Sequence, residues 1–223
     1  GPLDGRLLLF VSTRSEGEPK DQVNSSYRTA QVYGIDVEAW REGEERTFDA
    51  SAVGHPLASL ADLPAGEYSI QILFHRYERV TPKHGKSILL PWDRGEGQQW
   101  SAAPGNLLSA PRRMTLDPRL RIRPVMALES AIPPIDPPQE TTYVRHIKVR
   151  SQLLSEFWGR EVELGAWVLV PHGFDAHPEA RYPLMIQHGR FPGSFGGFRE
   201  TPPDPAEPCR PSARFGLDCY NRI

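Results

Sequence analysis

Apolar positions along the chain come first in short alternating runs cut by turn residues, and later in unbroken apolar stretches. Arg6 to Ser12 reads as a strand bounded by Gly5 and a polar loop. Thr29 to Trp40 alternates loosely, with Val32, Ile35 and Val37 apolar, and Tyr68 to Phe74 places Tyr68, Ile70 and Ile72 on one face. Ser87 to Pro91, Arg113 to Leu116 and Leu120 to Leu128 read as further strands. This spacing predicts an all-β sandwich of about seven strands over residues 1–131.

Leu63-Pro64-Ala65-Gly66-Glu67-Tyr68 forms a turn leading into a strand that opens on tyrosine. It resembles the tyrosine corner of immunoglobulin-like sandwiches, where the phenol hydroxyl ties back to an upstream backbone group. An ordinary hairpin with a core tyrosine fits the same residues. Ile132-Pro133-Pro134-Ile135-Asp136-Pro137-Pro138 then stiffens the backbone into an extended linker, placed at 132–140.

Beyond it, residues 141–223 read as a second domain. Tyr143 to Val149 alternates, Ser151 to Trp158 fits a short helical turn or an irregular crossing, and Gly165 to Val170 and Tyr182 to His188 are its firmest strands. From Phe191 to Ile223 periodicity is lost and Pro, Gly and Arg abound. So long a loop belongs over a site, or to a domain whose helices and strands lie further along the polypeptide.

Composition agrees with turns and short strands: there are 23 prolines and 19 glycines, with 39% hydrophobic residues. A net charge of -2 argues against nucleic acid as a partner. The cluster Arg119, Arg121 and Arg123 reads as a solvated strand face. No run has the length of a membrane span, and Leu7 to Val11 lacks the flanks of a signal peptide. Cys209 and Cys219 are the only cysteines. Lying in one irregular loop, they are expected to form a disulfide, which would imply a periplasmic or secreted setting; two unrelated thiols in the cytoplasm are the alternative. No metal or cofactor site is expected, since no well-spaced histidine pair joins the cysteines.

Val168-Leu169-Val170-Pro171-His172-Gly173-Phe174-Asp175, followed by Arg181-Tyr182-Pro183-Leu184-Met185-Ile186-Gln187-His188-Gly189-Arg190-Phe191, resembles the opening of an α/β-hydrolase catalytic domain of the esterase-D and enterochelin-esterase-like group. Gly95-Glu96-Gly97-Gln98-Gln99-Trp100, Pro104-Gly105-Asn106-Leu107 and Phe157-Trp158-Gly159-Arg160 are similar to a bacterial esterase family with an N-terminal sandwich. So are Gly173 to Pro178 and Gly197-Phe198-Arg199-Glu200-Thr201-Pro202-Pro203-Asp204-Pro205. The resemblance implies an immunoglobulin-like sandwich followed by the first strands of an incomplete α/β-hydrolase sheet, and a serine esterase acting on a small ester. His188, Gly189, Arg190 and Phe191 would then form the oxyanion turn, with Gly189 letting the backbone approach the substrate and the Arg190 or Phe191 N–H donating to it. A strand simply ending at glycine fits these residues too.

No nucleophile is read within the chain. Ser194 in Gly193-Ser194-Phe195-Gly196-Gly197 stands one position too early for G-x-S-x-G, and Ser87 also fails the motif. His172 and His177 read as solvated loop residues. The catalytic serine, acid and histidine are therefore expected in the remaining C-terminal part of the hydrolase domain, a partner without which this chain is inactive. A non-catalytic sandwich binding module, stacking sugars on Trp40, Trp92 and Trp100 or holding a protein ligand, is the reading from another class; core packing of those tryptophans is the simpler use. A scaffolding protein with a vestigial hydrolase-like tail is the third.

Overall fold

Leu3–Ser12 (β1) carries Leu7, Leu9 and Val11 on one face and Leu8 and Phe10 on the other, so it suits a sheet covered on both sides. In a computed structural model of the chain it runs antiparallel to Gln31–Trp40 (β2) and to the long strand Gly66–Val80 (β4). The structure describes residues 1–186 other than 92, 95, 98, 121–123, 137, 138 and 172. The chain divides into two units, Gly1–Ile135 and Asp136–Ile223, within the proline-rich stretch. Among the described residues every strand pairing is antiparallel, and there is one short α-helix.

In the first unit Val53–His55 (β3) flanks β2, giving the order β3-β2-β1-β4. The far edge of β4 is shared by three short strands. Arg112–Leu116 (β7) pairs with its start, Leu107–Leu108 (β6) with its middle and Ile88–Leu90 (β5) with its end. Ser130–Ala131 (β8) closes the sheet beyond β6. A register in which Leu7 faces Ile35 and Phe74, and Leu9 faces Tyr33 and Ile72, gathers the large apolar side chains on one face. There Leu9, Val11, Tyr33, Leu63, Tyr68 and Ile70 pack as one cluster, and Leu7, Val37 and Phe74 as another.

The opposite face is also buried, though β4 presents Ser69 and Gln71 to it. Phe10 stacks on Trp100 at 5.2 Å and 9°. The Gln71 amide donates to the Glu18 carboxylate at 2.9 Å and to the Ser109 carbonyl at 3.2 Å, and its oxygen accepts from the Lys20 N–H at 3.2 Å. Asn106, fully buried, accepts from the Arg76 N–H at 2.9 Å and donates to the Trp100 carbonyl at 2.8 Å. Each buried amide is thus satisfied, which is what makes its burial tolerable.

At the turn before β4 the Tyr68 hydroxyl donates to the Pro64 carbonyl at 2.8 Å, the backward tie expected of this motif. The strand expected over 120–128 is absent among its described residues. Pro124 has no N–H to give a ladder, and Met126 and Leu128 instead pack as an irregular strap against the sheet's apolar clusters.

In the second unit Val144–Arg150 (β9) and Glu163–Leu169 (β10) form a two-stranded antiparallel ladder. The helix Gln152–Trp158 (α1) links them. It begins where the Ser151 hydroxyl accepts from the Leu154 N–H and stops at Gly159, whose φ of 65 closes the last turn without the steric cost a side chain would bring. Arg145 pairs with Asp175 at 2.7 Å, tying the ladder to the short 3-10 turn Phe174–Ala176. The buried strand expected at Tyr182 to His188 is not seen over 182–186, and Leu184, Met185 and Ile186 are 81%, 79% and 79% exposed. A run apolar on both faces needs neighbours on both edges and cover on both sides, and among the described residues this unit offers only the β9–β10 ladder. No helix among the described residues is long and apolar enough to cross a membrane.

Candidate functional site

The oxyanion-turn residues His188, Gly189, Arg190 and Phe191 lie outside the described residues, as do Ser194, His172, Trp92 and the pair Cys209 and Cys219. The remaining sequence candidates sit apart. Ser87 shares a 2.6 Å hydrogen bond with Thr81 on an exposed loop. His177 is exposed beside Glu179 at 3.7 Å. Among the described residues no group of three or more His, Cys, Asp or Glu side chains is arranged to hold a metal. Trp40 and Trp100 are both partly buried in packing contacts, Trp100 on Phe10 and Trp40 edge-on to Phe74 at 5.3 Å. Neither is a free stacking platform.

What the structure does bring together is a half-open cavity of about 1290 Å3 on the main apolar face of the first unit's sheet. Its floor includes Leu7 and Leu9 from β1 and Ile70 and Ile72 from β4, with Leu9 directly opposite Ile72. One wall is the loop 41–50 after β2, and the other includes residues 114–118, 120 and 124–128.

Trp40 is set at the junction of floor and wall by a β-bulge. The β1–β2 register shifts between Leu3 and Gly5, Ala39 takes the left-handed conformation at φ 50, and the Asp4 carboxylate accepts its N–H at 2.8 Å. The following indole N–H then donates to the Glu44 carbonyl at 2.8 Å, and Arg46 lies 5.9 Å over the ring.

Charged residues also line the cavity, Glu44, Arg46, Arg112 and Asp117 among them. The Glu44 carboxyl is held below its ordinary range first by the Arg41 backbone N–H and then by Arg46, and Asp117 is held low by Arg119. Arg112 donates to the Val125 carbonyl at 3.1 Å, fixing the strap to β7. Among the described residues the lining holds carboxylates, arginines and threonines and no His, Cys, Ser or Lys.

The cavity is half-open, so solvent or a ligand can enter it. Sequence reasoning missed it for two reasons. The Glu- and Arg-rich stretch 41–46 reads as a solvated loop, and Met126 and Leu128 read as alternation in a strand.

No family model matches the chain, and no curated protein or solved structure matches it.

Proposed function

We propose that this chain is the N-terminal portion of a serine esterase or related acyl hydrolase: an immunoglobulin-like sandwich followed by the opening strands of an α/β-hydrolase sheet. The observation that carries the reading is the state of the second unit's apolar positions. Ile147, Val149 and Leu164 on the ladder are 44%, 56% and 54% exposed, and the run Leu184 to Ile186 that follows is more exposed still. A two-stranded ribbon is marginal in water, and an exposed apolar run is a strand in want of neighbours. Further polypeptide that extended the sheet and covered its faces would pair and bury these residues together. The Tyr68–Pro64 tie supports the immunoglobulin-like reading of the first unit.

In this reading the turn His188 to Phe191 supplies backbone N–H groups to the oxyanion. The serine that attacks the ester carbonyl, the histidine that takes its proton and the carboxylate that orients the histidine lie in the rest of the hydrolase domain. No cofactor enters such a reaction. A Cys209–Cys219 disulfide would place the enzyme in the periplasm or outside the cell. The sugar-stacking alternative draws no support from Trp40 and Trp100, both engaged in packing.

The test compares residues 1–223 with a longer polypeptide of the same protein, using an activated ester and a serine-directed fluorophosphonate. The short chain should give background turnover; the longer one should hydrolyse the ester and carry the label beyond residue 223. In the longer enzyme Gly189→Val should lower kcat by about 10²–10³-fold, the effect of losing an oxyanion donor. Label on Ser194, or full activity in residues 1–223 alone, would overturn the assignment. Unchanged turnover in Gly189→Val would leave the 188–191 turn structural.

A further inference from the structure

We propose that Asn24 is the acceptor of an N-linked sugar, transferred to its side-chain amide from an activated glycosyl diphosphate, independently of any hydrolase chemistry in the second unit. The chain has three asparagines, at 24, 106 and 221. Asn24-Ser25-Ser26 alone places a hydroxyl residue two positions on with no proline between, the pattern that glycosyl transfer to an amide requires. Asn106 is followed by Leu107-Leu108 and Asn221 by Arg222-Ile223, and Asn106 is also fully buried. Asn24 lies in the loop between the 3-10 turn Pro19–Gln22 and β2, where it and Ser25, Ser26, Tyr27 and Arg28 are all exposed. A sugar there displaces no packed side chain.

The hydrogen bonds around the amide leave its reacting atom available. Asn24 Oδ1 accepts from the Ser26 N–H at 2.9 Å, and the Asn24 backbone N–H donates to Thr29 Oγ1 at 2.9 Å, so the side chain is held in a local turn. Nδ2 donates one hydrogen to the Gln22 carbonyl at 3.1 Å. An amide nitrogen carries two, and the second has no partner among the described residues. A glycosylated amide keeps one hydrogen, so the bond to Gln22 survives substitution and the fold gives up none of its own bonds. In the transfer Nδ2 bonds to the anomeric carbon, and the bond from that carbon to the diphosphate oxygen breaks. The diphosphate leaves with the electron pair, and a base of the transferase takes the amide proton. A lipid-linked oligosaccharyl diphosphate and a sugar nucleotide supply the same chemistry, and the sugar left on the protein tells them apart.

The test is peptide mass spectrometry on the protein isolated from the cells that make it. Trypsin releases residues 21–28 as one peptide, with Asn24 its sole asparagine. Expected is one glycan on that peptide, placed on Asn24 by fragmentation. A preassembled oligosaccharide that peptide N-glycosidase removes, leaving aspartate at 24, identifies the lipid-linked donor; a lone hexose identifies the sugar nucleotide. Asn24→Gln and Ser26→Ala, made in the same cells, should each lose the glycan, whereas Ser26→Thr, which keeps the hydroxyl, should retain it. Bare Asn24 throughout the native protein would overturn the proposal, and that measurement needs no variant to fold. A sugar on Ser25 or Ser26 in place of Asn24, or a glycan that persists in Asn24→Gln or Ser26→Ala, would overturn it equally. Absence of esterase activity in a longer enzyme would bear on none of these outcomes.

Discussion

Two tyrosines on one face of the same sheet are in opposite hydrogen-bonding states. The Tyr68 hydroxyl donates to Pro64, whereas the Tyr33 hydroxyl is fully buried with no partner, and burial raises its pKa. Replacing each by phenylalanine should separate the two cases. Tyr68→Phe leaves a carbonyl without its donor and should lose about 1 kcal/mol in urea unfolding. Tyr33→Phe removes an unsatisfied polar atom and should be neutral or stabilising by up to ~1 kcal/mol. Equal losses in both would mean that the Tyr33 hydroxyl has a partner in solution.

His75, on the opposite face of β4, is pushed down to about 4, first by burial and then by the Arg94 charge. Folded His75 stays neutral where the unfolded imidazole, with its ordinary value of 6.5, takes up a proton. Its contribution is whole above about pH 6.5 and is lost as pH falls toward 4. His75→Gln should flatten the stability profile across that window, and a variant profile parallel to the native one would refute the shift. Glu18, whose carboxyl is lowered by the Gln71 amide, acts near the ordinary carboxylate range and is present in both proteins, so the difference isolates His75.

At the scale of elements, the central strands were legible because their alternation coincides with a real division of faces. Tyr68, Ile70 and Ile72 on β4 lie on the side the pattern assigns them, and the unbroken apolar run of β1 pairs alongside. The sequence did not announce that β4's other face is buried too. Gln71 there is polar yet enclosed, which only the distant Glu18 and Ser109 make tolerable. Local pattern also failed at Leu120 to Leu128, where Met126 and Leu128 alternate as a strand would but Pro124 denies the ladder a donor. The cavity was not legible at all, since it exists only where that strap and the 41–50 loop arch over strands distant in sequence.

One glycine shows how closely the central pair is fitted. A Cβ on Gly5 would stand 2.2 Å from the His75 carbonyl oxygen, a backbone atom that cannot swing aside. Gly5→Ala should force β1 and β4 apart beside the bulge and destabilise the first unit by on the order of 2–4 kcal/mol. Thermal unfolding measures it, and a loss within ~0.5 kcal/mol would show that the strands can separate there freely.

At the scale of the molecule, the two units differ in what holds each together. The first has eight strands in a sheet covered on both faces, with Phe10, Tyr33, Leu73 and Phe74 fully buried. The second, among its described residues, has the β9–β10 ladder and one short helix, with no buried side chain in either strand or in α1. Ladder hydrogen bonds that water can reach open at little cost, so amide exchange should report the contrast directly. In residues 1–223, amides of β1 and β4 should exchange slowly, through cooperative unfolding of the first unit, while those of β9, β10 and 182–186 should exchange orders of magnitude faster. In a longer polypeptide that completes a hydrolase sheet, the β9–β10 and 182–186 amides should become protected to a degree comparable with β1. The first unit should not change, because its sheet already has its own cover. Strong protection of β9 and β10 in residues 1–223 alone would mean that the second unit is complete in itself. The exposed apolar run from Leu184 to Ile186 would then need an explanation other than a missing sheet.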